Sequence, residues 1–292
     1  MLDANFPLPT KPLHQSREYA QALDLVAADT TTLADGTLVV RRTLAKMPVA
    51  MLPRAQIPQN FLKDSINAAG LQRTVLAITP DHPAPWLANL GAVAVMSPVH
   101  VATLDLMGDM RARMHQKWRN RLRFAERQNL RITRQNLPSK PNNWLLLQDQ
   151  RQQGARGYSA WSEALTLAYA KANRGSAKLF TAFDGKTPVA AMLFLRHGDS
   201  ATYHVGHATD EGRACSAHNL LLWEGMNWLA SKGVTSLELG QVNTDRTPGL
   251  ARFKLGAGAT LRPLGGTWIW WPPLGRTLSP LKLLDQKLMR AS

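Results

Sequence analysis

Along the first third of the chain the spacing of apolar positions keeps changing, which predicts a run of short mixed elements. A helix fits 16–27 with Ser16 as its cap, and apolar alternation over 33–44 predicts a hairpin turning on Asp35-Gly36. A strand over 49–52, a helix over 60–69 stopped by Gly70, and strands over 74–78 and 92–106, broken near Ser97-Pro98, follow.

From 108 to 130 the period lengthens. Met110, Met114, Trp118, Leu122 and Ala125 form one helical stripe, and eight basic residues between Arg111 and Arg131 occupy the rest, so a strongly basic amphipathic helix is predicted. Pro138 and Pro141 then punctuate the chain, and a domain boundary is placed there. Helices are predicted from near Trp144 and over 159–173. Strict alternation returns over 178–183, 187–196 and 201–208. With Asp184-Gly185 and His197-Gly198-Asp199-Ser200 as tight turns, these spell a three-stranded antiparallel meander. Ser216 opens a helix running to Ser231 and stopped by Gly233. A strand over 234–239, a short helix over 248–255 and a Trp-rich strand over 265–271 complete the pattern.

Composition narrows the possibilities. The chain has 292 residues with 45% apolar content, enough for one large or two ordinary domains with real cores. A net charge of +15 favours an anionic partner such as nucleic acid, an acidic membrane face or a phosphate-rich cofactor. One cysteine, Cys215, excludes an intramolecular disulfide and fits a reducing cytoplasm, and no Cys/His cluster has zinc-ligand spacing. The longest apolar stretch, 87–96, is too short to span a bilayer. An amphipathic tail over 281–289 carries Lys282 and Lys287, with Arg290 just beyond; it reads as a packed terminal helix or as a peripheral contact with anionic lipid.

Two helices, a meander, a capped helix, a strand, a helix and terminal strands give the element order of the GNAT acyltransferase fold. Local sequences sharpen the likeness: Lys117-Trp118-Arg119-Asn120, the segment from Ser216 to Leu222, Leu237-Glu238-Leu239-Gly240, and Gly249-Leu250-Ala251-Arg252-Phe253-Lys254 followed by Gly256 and Gly258. Over 107–271 the chain resembles Fem-type peptidyltransferases and their acetyltransferase-like relatives. The resemblance implies a mixed α/β fold of two side-by-side GNAT-like modules, each a mostly antiparallel twisted sheet flanked by helices. A degenerate module is expected over 1–137, ending in the basic helix, and a catalytic module over 138–292.

It also implies direct transfer of an acyl group from a donor to a primary amine. Acyl-CoA is the favoured donor, because the sequence has no room for the long coiled-coil arm found in some Fem proteins. Aminoacyl-tRNA is the leading variant, and a non-catalytic polyanion- or membrane-binding module on a GNAT scaffold is the competing class. No metal is implied.

By the same resemblance Phe253 and Lys254 match the family's Phe-Lys pair. The Phe253 carbonyl would orient the amine and Lys254 would offset developing negative charge; a solvated helix lysine is the plainer reading. Glu238, at a strand end, accepts the ammonium proton or caps structure. A helix N-terminus beside a splayed strand can hold a pyrophosphate, which assigns donor contacts to Arg213, Ser216, Ala217, His218 and Asn219; ordinary capping by Ser216 explains the same residues. Tyr203 is a candidate acid or base. Alternation puts it on one face with Val205 and His207, with His204 opposite, and any of these histidines reads equally as half-buried packing. Arg119, Arg123 and His207 are candidate substrate or phosphate contacts. Trp118, on the methionine stripe, reads as core, and Cys215 as a packed thiol.

Overall fold

A computed structural model describes residues 11–44, 46–56, 58, 62–139, 143–156 and 160–274. The tail over 281–289 lies outside them, as do residues 60, 61, 141 and 159 of the sequence reading. In chain order the elements are α1 (Arg17–Leu25), β1 (Thr30–Thr32), β2 (Leu38–Leu44), β3 (Met47–Ala55), α2 (Leu62–Ala68), β4 (Val75–Pro80), β5 (Val93–Met96), β6 (His100–Asp105), α3 (Gln116–Glu126), β7 (Leu130–Asn136), α4 (Trp144–Arg156), α5 (Glu163–Ala172), β8 (Ala177–Asp184), β9 (Thr187–His197), β10 (Ser200–Ala208), α6 (Asp210–Ala214), α7 (Ala217–Ser231), β11 (Ser236–Val242), α8 (Pro248–Gly256), β12 (Thr260–Pro263) and β13 (Thr267–Trp270). No helix among the described residues is long and apolar enough to cross a membrane.

These elements form two units. One holds Leu23–His100 and Arg262–Ser292, with a six-stranded sheet in the order β1-β2-β3-β4-β13-β5. Its strands pair antiparallel except β3 with β4, and its core gathers Val39, Leu52, Leu62, Ile66, Leu76 and Trp270. The other holds Met1–Ala22 and Val101–Leu261, with a seven-stranded sheet in the order β12-β6-β11-β10-β9-β8-β7. Core layers cover both of its faces. On one, Phe180, Met192 and Phe194 pack with α3 and α7; on the other, Leu179, Leu193 and Val205 pack with Tyr169 of α5.

The division differs from the expected boundary at Pro138. β6, α3 and β7 precede that proline, yet β6 and β7 pair into the seven-stranded sheet and α3 packs in its core. The Trp-rich strand β13 leaves the module expected over 138–292 and pairs with β4 and β5. Proline marks a local break, whereas domain membership follows strand pairing between distant segments, which period cannot report.

The basic helix is also shorter than 108–130. α3 starts after His115, whose N–H donates to the Gly256 carbonyl at 2.9 Å, and Leu130 already belongs to β7. Before it the chain forms a turn on Asp109, whose carboxylate accepts from the Ala112 N–H at 3.0 Å. Of the eight cations, Lys117, Arg119, Arg121 and Arg123 lie on the helix. Arg111 reaches back to Glu126 at 2.7 Å, and Arg113 donates to the carbonyls of Asp105 and Met107. The methionine stripe persists because Met110 and Met114 face the core from the turn as Trp118, Leu122 and Ala125 do from the helix.

Candidate functional site

β10 and β11 run parallel and pair at Ser200 with Ser236, Ala201 with Leu237 and Thr202 with Glu238. There the ladder ends, although the strands continue to Ala208 and Val242. Two local irregularities accompany the parting. In β10 a bulge between Tyr203 and Val205 shifts the register against β9, which bends the strand. In β11, Gly240 has φ +78°, a left-handed value that a side-chain-bearing residue rarely holds.

The bulge also corrects the face assignment. One extra residue reverses the alternation, so Tyr203 packs with the α3 and α7 layer, while Val205 faces α4 and α5. His204 and His207 join Val205's side: His204 meets the Thr166 hydroxyl at 3.1 Å and His207 the Gln152 amide at 3.0 Å. Tyr203 instead lies along its own strand, with its hydroxyl 2.0 Å from where a Cβ would sit on Gly206. Only a glycine leaves that room.

Lys254 enters the opening from α8. Pro248 starts this helix at a position that needs no N–H, and Ala251, Lys254 and Gly256 form its buried side. The Lys254 side chain extends to the end of β11, where Nζ donates to the Gln241 carbonyl at 2.7 Å. The residue is 5% exposed. Burial pushes its ammonium down to about 8, against the pull of the Glu238 carboxylate, which draws it back up. A solvated helix lysine would have neither the burial nor the fixed partner.

His218, in the first turn of α7, stacks obliquely on Phe253 with ring centroids 6.2 Å apart. Its Nε2 is buried with no hydrogen-bond partner among the described residues. Burial lowers its pKa to about 4, opposed by the main-chain carbonyls of His207 and Ala191, so the ring is neutral at pH 7.

Other expected contacts are arranged differently. Ser216 stands at the N-cap of α7 but is left-handed (φ 56°) and makes no side-chain capping bond. Its side chain and those of Ala217 and Asn219 are buried, and the Asn219 N–H already donates to the Ser216 carbonyl at 3.0 Å. Arg213 belongs to the short helix α6 and is held by Asp210 at 2.9 Å, out in solvent. Arg119 donates to the Ala112 carbonyl at 3.1 Å, and Arg123 is exposed on α3.

The Phe253 carbonyl accepts from the Trp118 indole at 3.0 Å and shares the Ala257 amide, at 3.3 Å, with the Lys254 carbonyl. Cys215 donates to the Gly212 carbonyl at 3.5 Å and burial pushes its thiol up, away from nucleophile behaviour. Among the described residues no group of His, Cys, Asp or Glu side chains could hold a metal ion.

One residue near the site escaped sequence reading. His197 is buried, with Nε2 3.0 Å from the hydroxyl of Thr202, the register partner of Glu238. Burial lowers it to about 4, with Glu18 and then Glu238 pulling the other way. In the sequence it was simply one residue of a tight turn.

Residues 109–255, just over half the chain, match the family model described as an acetyltransferase (GNAT) domain. The chain belongs to the GNAT acyltransferase family. No curated protein matches its sequence. Among solved structures the GNAT chain is similar to FemX, with 14% identity and a TM-score of 0.71 over 93% of this chain and 95% of that one. A C-terminal domain assigned to a lysylphosphatidylglycerol synthetase of Agrobacterium fabrum also matches, with 14% identity and a TM-score of 0.58 over 95% and 93%. L-PGS from Bacillus licheniformis matches with 13% identity and a TM-score of 0.55 over 98% and 99%. At these identities the likeness is one of fold: two mostly antiparallel sheets flanked by helices, as two GNAT-like modules in one chain.

Proposed function

We propose that this transferase moves an acyl group from acyl-CoA to a primary amine by direct attack, in the opening where β10 and β11 part. The observation that carries the reading is the end of the parallel ladder at Thr202 and Glu238, with a buried lysine against β11 and, against the His207 carbonyl of β10, a neutral histidine whose Nε2 has no hydrogen-bond partner among the described residues. Where the ladder stops, backbone groups lose their strand partners and become available to an extended ligand. His218 and the first turn of α7 then meet the donor. The amine nitrogen attacks the thioester carbonyl, the new C–N bond forms, the C–S bond breaks, and the proton lost by the amine passes to Glu238. The Lys254 ammonium offsets negative charge on the carbonyl oxygen or departing sulfur.

An aminoacyl donor is the second reading. It is favoured by the fold likeness to FemX and to the lysylphosphatidylglycerol synthetase domains over more than nine-tenths of both chains. Calorimetric titration with acetyl-CoA, longer acyl-CoAs and aminoacyl-tRNA separates the two. An acyl-CoA response at one site per chain supports the first, a response to charged tRNA alone selects the second, and silence toward all three overturns both.

A further inference from the structure

Trp118 is buried in the α3 layer, yet its one polar atom leaves that layer. Its indole N–H donates to the carbonyl of Phe253, the residue immediately before Lys254 and 135 positions away in sequence. That carbonyl is poorly held by its own helix: the Ala257 amide is shared between Phe253 and Lys254 at 3.3 Å each. The last turn of α8 is therefore also held from outside, through this carbonyl.

Two further contacts act on the same turn. The His115 N–H donates to the Gly256 carbonyl at 2.9 Å, and the Trp118 ring lies so close to Gly256 that a Cβ there would sit 2.9 Å from Cδ1. At its other end α8 has no side-chain cap, since Thr247 makes no capping bond, and the chain from Thr244 to Leu250 is exposed. Both contacts join α3 to the C-terminal turn of α8, the turn that carries Lys254.

We infer that Trp118 is a positioning residue for transfer: by holding the Phe253 carbonyl it seats the turn that carries Lys254, and so fixes Nζ against the Gln241 carbonyl at the end of β11. The inference rests on Lys254 acting in the reaction, as proposed above. It also gives the carbonyl of Phe253 a role, as the point where α3 takes hold of α8.

Trp118→Phe keeps an aromatic ring on this face of α3 and removes the N–H together with the five-membered ring that carries it. The expected result is a fall in kcat of about tenfold with the donor KM held, as for a misplaced catalytic group. The Lys254 titration seen in the pH profile should move up from about 8 toward the ordinary lysine range as water reaches Nζ. Reductive methylation of Lys254, read by mass spectrometry, should quicken, which reports its depth without any turnover. Leu122→Val loosens the same buried helix face without touching this bond and should leave the titration and methylation rate in place. If Trp118→Phe fails to fold, Gly256→Ala displaces the ring from the other side and should give the same shifts.

Unchanged kcat, titration and methylation in the Trp118 or Gly256 variant overturn the inference, as does an equal shift in Leu122→Val. Retained turnover in Lys254→Met removes the lysine from the mechanism instead; the methylation rates then still decide whether Trp118 sets its depth.

Discussion

In the six-stranded sheet the parallel strands β3 and β4 stay joined from Val49 and Val75 to Ala55 and Pro80, and the Asp81 N–H adds one more bond to the Ala55 carbonyl at 3.0 Å. In the seven-stranded sheet the parallel strands β10 and β11 share three pairs and part. Both pairs follow a similar local plan, an antiparallel meander, a helical crossover and a parallel return: β1, β2, β3, α2, β4 in one and β8, β9, β10, α6, α7, β11 in the other. Their ends are furnished oppositely. Beyond β4, the buried Asp81 is clamped by Arg54 at 2.6 Å and Arg262 at 3.2 Å, with Gln56 donating at 3.1 Å, and the end is sealed by a carboxylate between two guanidiniums. Beyond β11 stand Lys254 and the His218 Nε2, which has no hydrogen-bond partner among the described residues. One supersecondary plan thus gives a structural plug where the ladder closes and a candidate reaction site where it opens.

Acid should separate the two units most strongly. The seven-stranded unit buries His197, His204 and His218, whose pKa values burial lowers to about 4, 3 and 4. An unfolded histidine takes up its proton near 6.5, so their contribution to stability is present above that pH and drains as pH falls toward the folded values, by up to about 1.4 kcal/mol per pH unit for each. In the other unit, burial pushes the Asp81 carboxyl up, but Arg54 and Arg262 outweigh it and hold the pKa below the ordinary value. Its contribution is lost only in stronger acid, below about pH 4. Hydrogen exchange at stepped pH should therefore show β8 to β10 opening before β2 to β4, and the reverse order breaks the comparison.

Asp81→Ala leaves two arginines around a vacated buried site. A loss of about 3–5 kcal/mol is expected in denaturant unfolding, with turnover per folded molecule retained. Lys254→Ala should do the opposite, cutting turnover by about 10²–10³ while the unfolding midpoint moves little. If Asp81→Ala stopped turnover in the folded fraction, the plug would have to be counted as part of the site.

Gly206→Ala tests the bulged strand. Overpacking against Tyr203 should cost about 1–3 kcal/mol, and adding Tyr203→Phe, which removes the nearest atom, should recover part of it. Additive losses would mean that the tyrosine does not occupy that space. The smallest shift expected is electrostatic. Because Glu238 raises the Lys254 pKa, Glu238→Gln should move the lysine titration, read from the pH dependence of Lys254 methylation, below about 8, apart from the loss of turnover that removing the proton acceptor brings.

The sequence by itself determined the elements and the resemblance. The meander over β8 to β10 was legible because alternation with period two meets glycine-marked turns at Gly185 and Gly198, which are local signals. The Phe253-Lys254 pair stood out within its glycine-rich setting for the same reason. Tertiary structure alone decided the rest. The bulge at His204 reversed which side chains share a face, and that reversal depends on pairing with β9. β13 joined a sheet built almost 200 residues earlier, and Trp118 took the Phe253 carbonyl across 135 positions. The ends of the two parallel ladders are furnished by groups brought together from distant positions: Arg54, Asp81 and Arg262 in one unit, and Gln241 and Lys254 in the other. Period and propensity act over a few residues, whereas these contacts are fixed only when distant strands choose their neighbours.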